Sequence, residues 1–184
     1  MSANDKKWVK ISSQELLKTS FFRLRCEEAR LPNGKVCPRY YILDFVDWVN
    51  IVALTTKGEL ILIKQFRYPI DQTCIEIPGG AMDPRTNETP ETAARRELVE
   101  ETGYVPSEMK LILAQYPNPA IQSNKLWTFL ALGCEKTQDQ NLDPYEDIDV
   151  FTATIDETLN MIKVGEFTHS LCIASIYVAL AHVK

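Results

Sequence analysis

Polar and apolar positions alternate along the first part of the chain, then close up into continuous apolar runs. Between Ser20 and Leu31, Phe22, Leu24 and Cys26 fall on every second position, which predicts a half-buried strand. Pro32-Asn33-Gly34-Lys35 follows, and Asn-Gly readily takes positive φ, so a hairpin turn is expected there. Val36 to Phe45 returns as the partner strand, with Pro38 marking an edge or a bulge. Residues from about Trp8 to Phe45 therefore read as short antiparallel strands. Such a unit makes a poor core alone and should pack on the rest of the chain or on a second subunit.

From Val49 the pattern changes. Val49-Ile51-Val52-Ala53-Leu54 and Leu60-Ile61-Leu62-Ile63 flank Thr56-Lys57-Gly58, which predicts a hairpin of strands buried on both faces. Gln65-Phe66-Arg67-Tyr68-Pro69 ends that hairpin with an arginine. Lys110 to Tyr116 and Leu126 to Leu132 read as two further strands around the loop Pro117 to Lys125. Asp143 to Asp149 is an acidic segment. Asp156 is expected to cap a helix ending near Gly165, and Thr168 a last helix reaching Val183. In that helix Leu171, Ala174, Val178 and Ala181 are the expected apolar stripe. The sum is an α/β (α+β) architecture, a mixed β-sheet sandwiched between helices. A small N-terminal antiparallel β extension, 1–46, precedes the main domain, 47–184.

One predicted helix stands out chemically. Thr89 can cap its first turn, Pro90 suits the first helical position, and Gly103 can close the far end. Ala93, Ala94 and Leu98 give it an apolar stripe, while Glu97, Glu100 and Glu101 gather on another face. Like charges at these spacings repel, and they lie towards the end where the helix dipole disfavours anions. Arg95 and Arg96 offset part of that repulsion. Hard divalent cations such as magnesium take carboxylate oxygens, so a cation from outside the chain would account for the cluster. A solvated charged face is the alternative that local pattern leaves open.

Composition narrows the field further. At 184 residues, with 45% hydrophobic and 24% charged, the chain suits an ordinary soluble globular protein. A net charge of −5 gives no electrostatic reason to expect a long nucleic acid as partner. Cys26, Cys37, Cys74, Cys134 and Cys172 are scattered without a Cys-x-x-Cys pair, which reads as reduced thiols in a cytoplasmic protein. The N-terminus lacks the apolar stretch of a signal peptide, and no apolar run is long enough to span a membrane.

The spacing around the glutamate helix carries a resemblance. Glu88, seven residues, Arg96-Glu97-Leu98, one residue, Glu100-Glu101, one residue, then Gly103 and Tyr104 resembles the Nudix box. Everything from Glu88 onward matches. Upstream, Gly80 and Glu88 are separated by seven residues, two more than the family's spacing, and a surface loop absorbs such an insertion cheaply. Gln65-Phe66-Arg67-Tyr68-Pro69, Glu76-Ile77-Pro78-Gly79-Gly80, Tyr116-Pro117-Asn118-Pro119 and Gly165-Glu166-Phe167 are similar to the ADP-ribose pyrophosphatase branch of that family.

The resemblance implies hydrolysis of a nucleoside diphosphate sugar to a nucleoside monophosphate and a sugar phosphate. It implies magnesium, with manganese as a substitute, held as two or three ions by Glu97, Glu100 and Glu101 with the backbone carbonyl of Gly79. Arg96 would orient the glutamates, Glu88 would anchor the loop, and Arg67 would contact the diphosphate or the distal sugar. It also implies a homodimer through the N-terminal strands, with Trp8 and, less directly, Tyr41 stacking on the base.

The family's glutamate in the loop after Tyr-Pro-x-Pro has no counterpart, since Pro117 to Lys125 holds no carboxylate. Proton transfer would fall to Glu100 or Glu101, or to Glu146 or Asp147 of the acidic segment. The departure leaves room for a GDP- or UDP-sugar in place of ADP-ribose. It also leaves room for another nucleotide pyrophosphate, such as a dinucleotide or capped end, or for a non-catalytic nucleotide-sugar sensor. His169 and His182 are the only histidines, and both are expected to be structural.

Overall fold

The computed structural model describes residues 6–183. It divides into two units: residues through Val46 together with Tyr116–Lys125, and Asp47–Gln115 together with Leu126 onward.

The first unit is a three-stranded antiparallel sheet of β1 (Val9–Lys18), β2 (Phe22–Arg30) and β3 (Val36–Phe45), in that order. Gly34, at φ 83°, makes the β2–β3 turn, and the Asn33 side chain accepts from the Lys35 N–H. Opposite β2, the pairing steps from Tyr40 to Cys37 while β2 advances only from Glu27 to Ala29. The extra residue falls at Pro38–Arg39, the bulge that a proline without an N–H favours. Every residue of β1 is exposed, including Val9, Ile11, Leu16 and Leu17. The Tyr116–Lys125 loop, expected within the main domain, instead groups with this unit through β3. The Leu43 N–H donates to the Ile121 carbonyl, the Tyr40 hydroxyl to the Ala120 carbonyl, and the Ser123 hydroxyl to Asp44.

The second unit is a mixed eight-stranded sheet. It comprises β4 (Trp48–Thr55), β5 (Leu60–Arg67), β6 (Gln72–Glu76), β7 (Gly79–Ala81), β8 (Tyr104–Val105), β9 (Glu108–Gln115), β10 (Leu126–Lys136) and β11 (Ile148–Ala153). Only β4 and β10 run parallel; the remaining pairs are antiparallel. Among the described residues three α-helices complete it: α1 (Pro90–Thr102), α2 (Ile155–Val164) and α3 (Ser170–Leu180). The apolar run of β4 splits by strand alternation. Val49, Ile51 and Ala53 pack with Ala93, Ala94 and Leu98 of α1, while Val52 and Leu54 join Ile176 and Ala179 of α3. The sheet is thus buried on both faces between helices. Among the described residues no helix is long and apolar enough to cross a membrane.

Three local expectations are corrected. Helix α2 is capped by Thr154, not Asp156: Thr154 accepts from the Glu157 N–H while Glu157 returns a carboxylate to the Thr154 N–H. Side chain and backbone reciprocate there as a capping box. Helix α3 begins at Ser170, with His169 as its cap in place of Thr168, and ends at Leu180, short of Val183. Its buried face is Cys172, Ser175, Ile176 and Ala179, whereas Ala181 is exposed. Nearly every residue of that helix is apolar, so periodicity alone selects no face.

Candidate active site

Helix α1 starts where the Thr89 hydroxyl accepts from the Thr92 N–H, with Pro90 at the first position, and stops at Gly103 in the left-handed region. Burial of Ala93, Ala94 and Leu98 fixes its rotation, and with it the direction of the glutamates. Glu97 and Glu101 are buried, at 9% and 4% exposure, so the solvated-face alternative fails for both. Glu100 remains partly exposed.

Arg96 organises the charges. It donates to Glu88 at 3.2 and 3.3 Å, to Glu97 at 2.9 Å and to Glu100 at 3.0 Å. Glu88 in turn accepts from the Asp83 N–H at 2.6 Å. The lengthened loop folds onto Asp83, whose carboxylate takes the Arg85 side chain and whose carbonyl accepts from the Thr86 N–H. The insertion is taken up as a local turn, leaving the link from Glu88 to the helix intact.

Strand β7 brings two glycines against the glutamates. The Gly79 N–H donates to Glu101 Oε2 at 2.9 Å. A Cβ on Gly79 would lie 2.3 Å from the Val49 carbonyl, and one on Gly80 would lie 2.5 Å from Glu97 Oε1. Only glycine allows this approach.

Burial pushes the Glu97 carboxyl up to about 7, with Arg96 opposing and Glu100 and Glu146 adding repulsion. Burial pushes Glu101 up to about 8, opposed by the Gly79 N–H and reinforced by repulsion from Glu97 and Glu146. Desolvated carboxylates that repel one another are costly unless a cation pairs with them. The donor set is all oxygen, which fits a hard divalent ion.

Part of this cluster borders a cavity of about 440 Å³ within the second unit. Gly79, Gly80 and Glu101 form part of its wall. Arg67, at the end of β5, lines it too, and donates to both oxygens of Glu76 on the neighbouring strand β6 at 2.7 and 2.6 Å. Glu76 is only 3% exposed, so the arginine is fixed by a buried partner and is no stray surface charge. Of the acidic segment, Glu146 lines the cavity, whereas Asp147 is exposed and does not. Gln140 steadies that segment, its Nε2 donating to the carbonyls of Glu101 and Ile148 at 2.7 and 2.9 Å.

His169 has two roles that sequence reasoning did not join. Its Nδ1 accepts from the Cys172 N–H as the α3 cap, as expected of a structural histidine, and it also borders the cavity. Ligand atoms of Glu76, His169 and Cys172 lie within 4.8 Å of one another. Each is already engaged: Glu76 by Arg67, His169 by the helix, and the Cys172 thiol is pushed up to about 12 by burial. That trio forms a wall more than a metal centre.

Trp8 and Tyr41 belong to the first unit and are not among the cavity's residues. Trp8 meets Tyr40 edge-on with ring centroids 5.8 Å apart, and both Trp8 and Tyr41 are exposed. Trp48 and Asn50, which line the cavity from β4, carried no signal in the sequence.

The chain is similar to known proteins over most of its length. Residues 45–168 match the model of the NUDIX domain. Residues 8–42 match that of the nucleoside diphosphate sugar hydrolase N-terminal domain. The chain is 32% identical to the ADP-ribose pyrophosphatase of Bacillus subtilis (strain 168), over 85% of this chain and 83% of that protein. It is 33% identical to the GDP-mannose pyrophosphatase of Enterobacter sp. (strain 638), over 86% and 87%. A crystal structure of an ADP compounds hydrolase superposes with a TM-score of 0.83 over 97% of this chain and 95% of that one, at 17% identity, a likeness of fold.

Proposed function

The chain belongs to the Nudix family, and on that premise we propose that it hydrolyses the pyrophosphate bond of a nucleoside diphosphate sugar, releasing a nucleoside monophosphate and a sugar phosphate. The observation that carries this reading is the pair of buried, mutually repelling carboxylates, Glu97 and Glu101, in a site that also holds a fixed arginine. An anionic diphosphate needs its charge neutralised before a nucleophile can approach.

Glu97, Glu100 and Glu101, with the Gly79 carbonyl, would hold divalent ions, magnesium by preference and manganese as a substitute. Such ions, when bound, neutralise phosphate charge and acidify water. Arg96 keeps the three carboxylates aligned, since it bonds two of them and the Glu88 anchor at once. Arg67, fixed by Glu76, binds a non-bridging phosphate oxygen. Glu146 accepts the proton of the attacking water, in keeping with its place on the cavity wall and the lack of a carboxylate in 117–125. The water oxygen forms a new bond to one phosphorus as the bridging P–O bond breaks, and the bridging oxygen leaves on the other phosphate.

Two copies pair through the first unit, covering the exposed apolar residues of β1, and Trp8 and Tyr41 reach the base bound by the partner. Turnover of a panel of nucleoside diphosphate sugars with magnesium, followed by separation of the phosphate esters, tests the reading. Absence of both predicted products from every panel member would overturn it.

A further inference from the structure

Strand β4 presents Trp48, Asn50 and Val52 on the α3 side of the sheet, a row that is apolar core by Val52. Asn50 breaks that row with an amide. Its Nδ2 is buried and has no hydrogen-bond partner among the described residues. The adjacent residue on β10, Thr128, is hydrogen-bonded to Ser175 at 3.1 Å. On its other side Asn50 pairs with Gly79 of β7, where a Cβ on the glycine would lie 2.8 Å from Asn50 Oδ1. Asn50, its cross-strand neighbour Gly79, which meets Glu101, and Trp48 two positions along the strand all border the cavity.

A buried donor left unpaired is costly, and an apolar side chain there would avoid the cost. An asparagine turns easily about its last bond. Since Nδ2 gives up no hydrogen bond by turning, it is free to meet an acceptor that enters the cavity.

We propose that Asn50 is a specificity-determining residue that donates to an oxygen of the sugar phosphate half of the substrate, with Trp48 offering its ring to the sugar's apolar face. This rests on the nucleotide-sugar reading given above. In that reading the cavity beside Glu101 takes the sugar phosphate half. Its lining suits hydroxyl groups, since Gln65 and His169 border it as well as Asn50. An aromatic face beside a few convergent polar groups is the usual composition of such a subsite.

The test is calorimetric titration of ribose 5-phosphate, mannose 1-phosphate, AMP and GMP into the wild type and Asn50→Ala. With it goes kcat/KM for the nucleotide sugar that the wild type turns over best. The expected result is that Asn50→Ala weakens the preferred sugar phosphate about tenfold, as loss of one hydrogen bond predicts, and lowers kcat/KM by the same factor. Binding of the nucleoside monophosphate stays unchanged. Asn50→Thr, whose branched side chain suits a strand and keeps a donor, should lose less and serves as the folded control if the alanine variant fails to fold. Unchanged sugar phosphate binding in a folded variant, or an equal loss for the nucleoside monophosphate, overturns the assignment. Failure of the wild type to hydrolyse any nucleotide sugar would instead overturn the underlying reading, and the titrations, which need no turnover, tell the two failures apart.

Discussion

Arg67 reaches diagonally along neighbouring strands to Glu76, whose own register partner is Ile63, and the two share hydrogen bonds at 2.7 and 2.6 Å, with the carboxylate buried and the guanidinium partly open to the cavity. The pairing raises the Arg67 pKa further above its ordinary value, through hydrogen bonding to Glu76 first, so the arginine is a permanent cation in the site.

Arg67→Ala should strand the Glu76 carboxylate. The expected cost is about 1–3 kcal/mol of stability, less than for a fully buried pair because Arg67 is partly solvated. Adding Glu76→Ala should recover part of that loss, while KM for the nucleotide sugar stays raised by roughly tenfold or more. Denaturant titration and steady-state kinetics on both variants read the two effects separately. A single variant as stable as the double would show that the Glu76 carboxylate left alone costs nothing, against this account.

The adjacent glycines should fail in different ways. A Cβ on Gly79 meets the Val49 backbone carbonyl, which cannot move aside, so Gly79→Ala should destabilise the fold by about 1–3 kcal/mol. A Cβ on Gly80 meets the end of the Glu97 side chain, which can turn away. Gly80→Ala should therefore melt close to the wild type yet bind divalent ions about tenfold more weakly, as displacing a ligand predicts. Thermal melts with and without magnesium separate the two. Equal melting losses for both variants would contradict the geometry.

Much of this was legible in the sequence because it rests on local rules. Thr89, Pro90 and Gly103 mark the ends of α1 as a cap, a first-turn proline and a left-handed stop do in general. Asn33-Gly34 and Pro38 announced a turn and a bulge that the backbone shows. Less legible were features set by tertiary contact. His169 as a cap and cavity residue, Gln140 bridging two carbonyls, and Glu76 as the fixed partner of Arg67 depend on elements distant in sequence meeting in space. The uniformly apolar α3 likewise hid which side would be buried. Strand β11, which begins inside the acidic segment at Ile148, was not anticipated, since only pairing with β5 makes it a strand.

Stability of the metal-free protein should depend on pH in a stated direction. The Glu97 and Glu101 carboxyls, raised to about 7 and about 8 from 4.5, hold protons more tightly folded than unfolded. Stability is then greatest below the unfolded value and falls as pH rises through the folded values. A divalent ion requires the deprotonated carboxylates, so its stabilising effect should grow over the same range. Melting temperatures at about pH 6 and about pH 8.5, with and without magnesium, check this. A magnesium-induced shift that is the same at both would contradict the assignment of these carboxylates as ligands.

The exposed β1 residues Val9, Ile11, Leu16 and Leu17 should be covered by a second copy. Light scattering at micromolar concentration is expected to report a dimer. Trp8→Ala is expected to raise KM about tenfold with little change in kcat, since a stacking contact is made equally in ground and transition states. A monomer with full activity would remove the role given to the first unit.

The most direct measurement compares wild type and Glu101→Gln on ADP-ribose and GDP-mannose with magnesium, with products identified as phosphate esters. The wild type is predicted to release a nucleoside monophosphate and a sugar phosphate from at least one of them. Glu101→Gln, folded and lacking one buried carboxylate, is predicted to lose at least about a hundredfold in kcat/KM. Turnover of neither compound by the wild type, or undiminished turnover by the variant, would contradict the account.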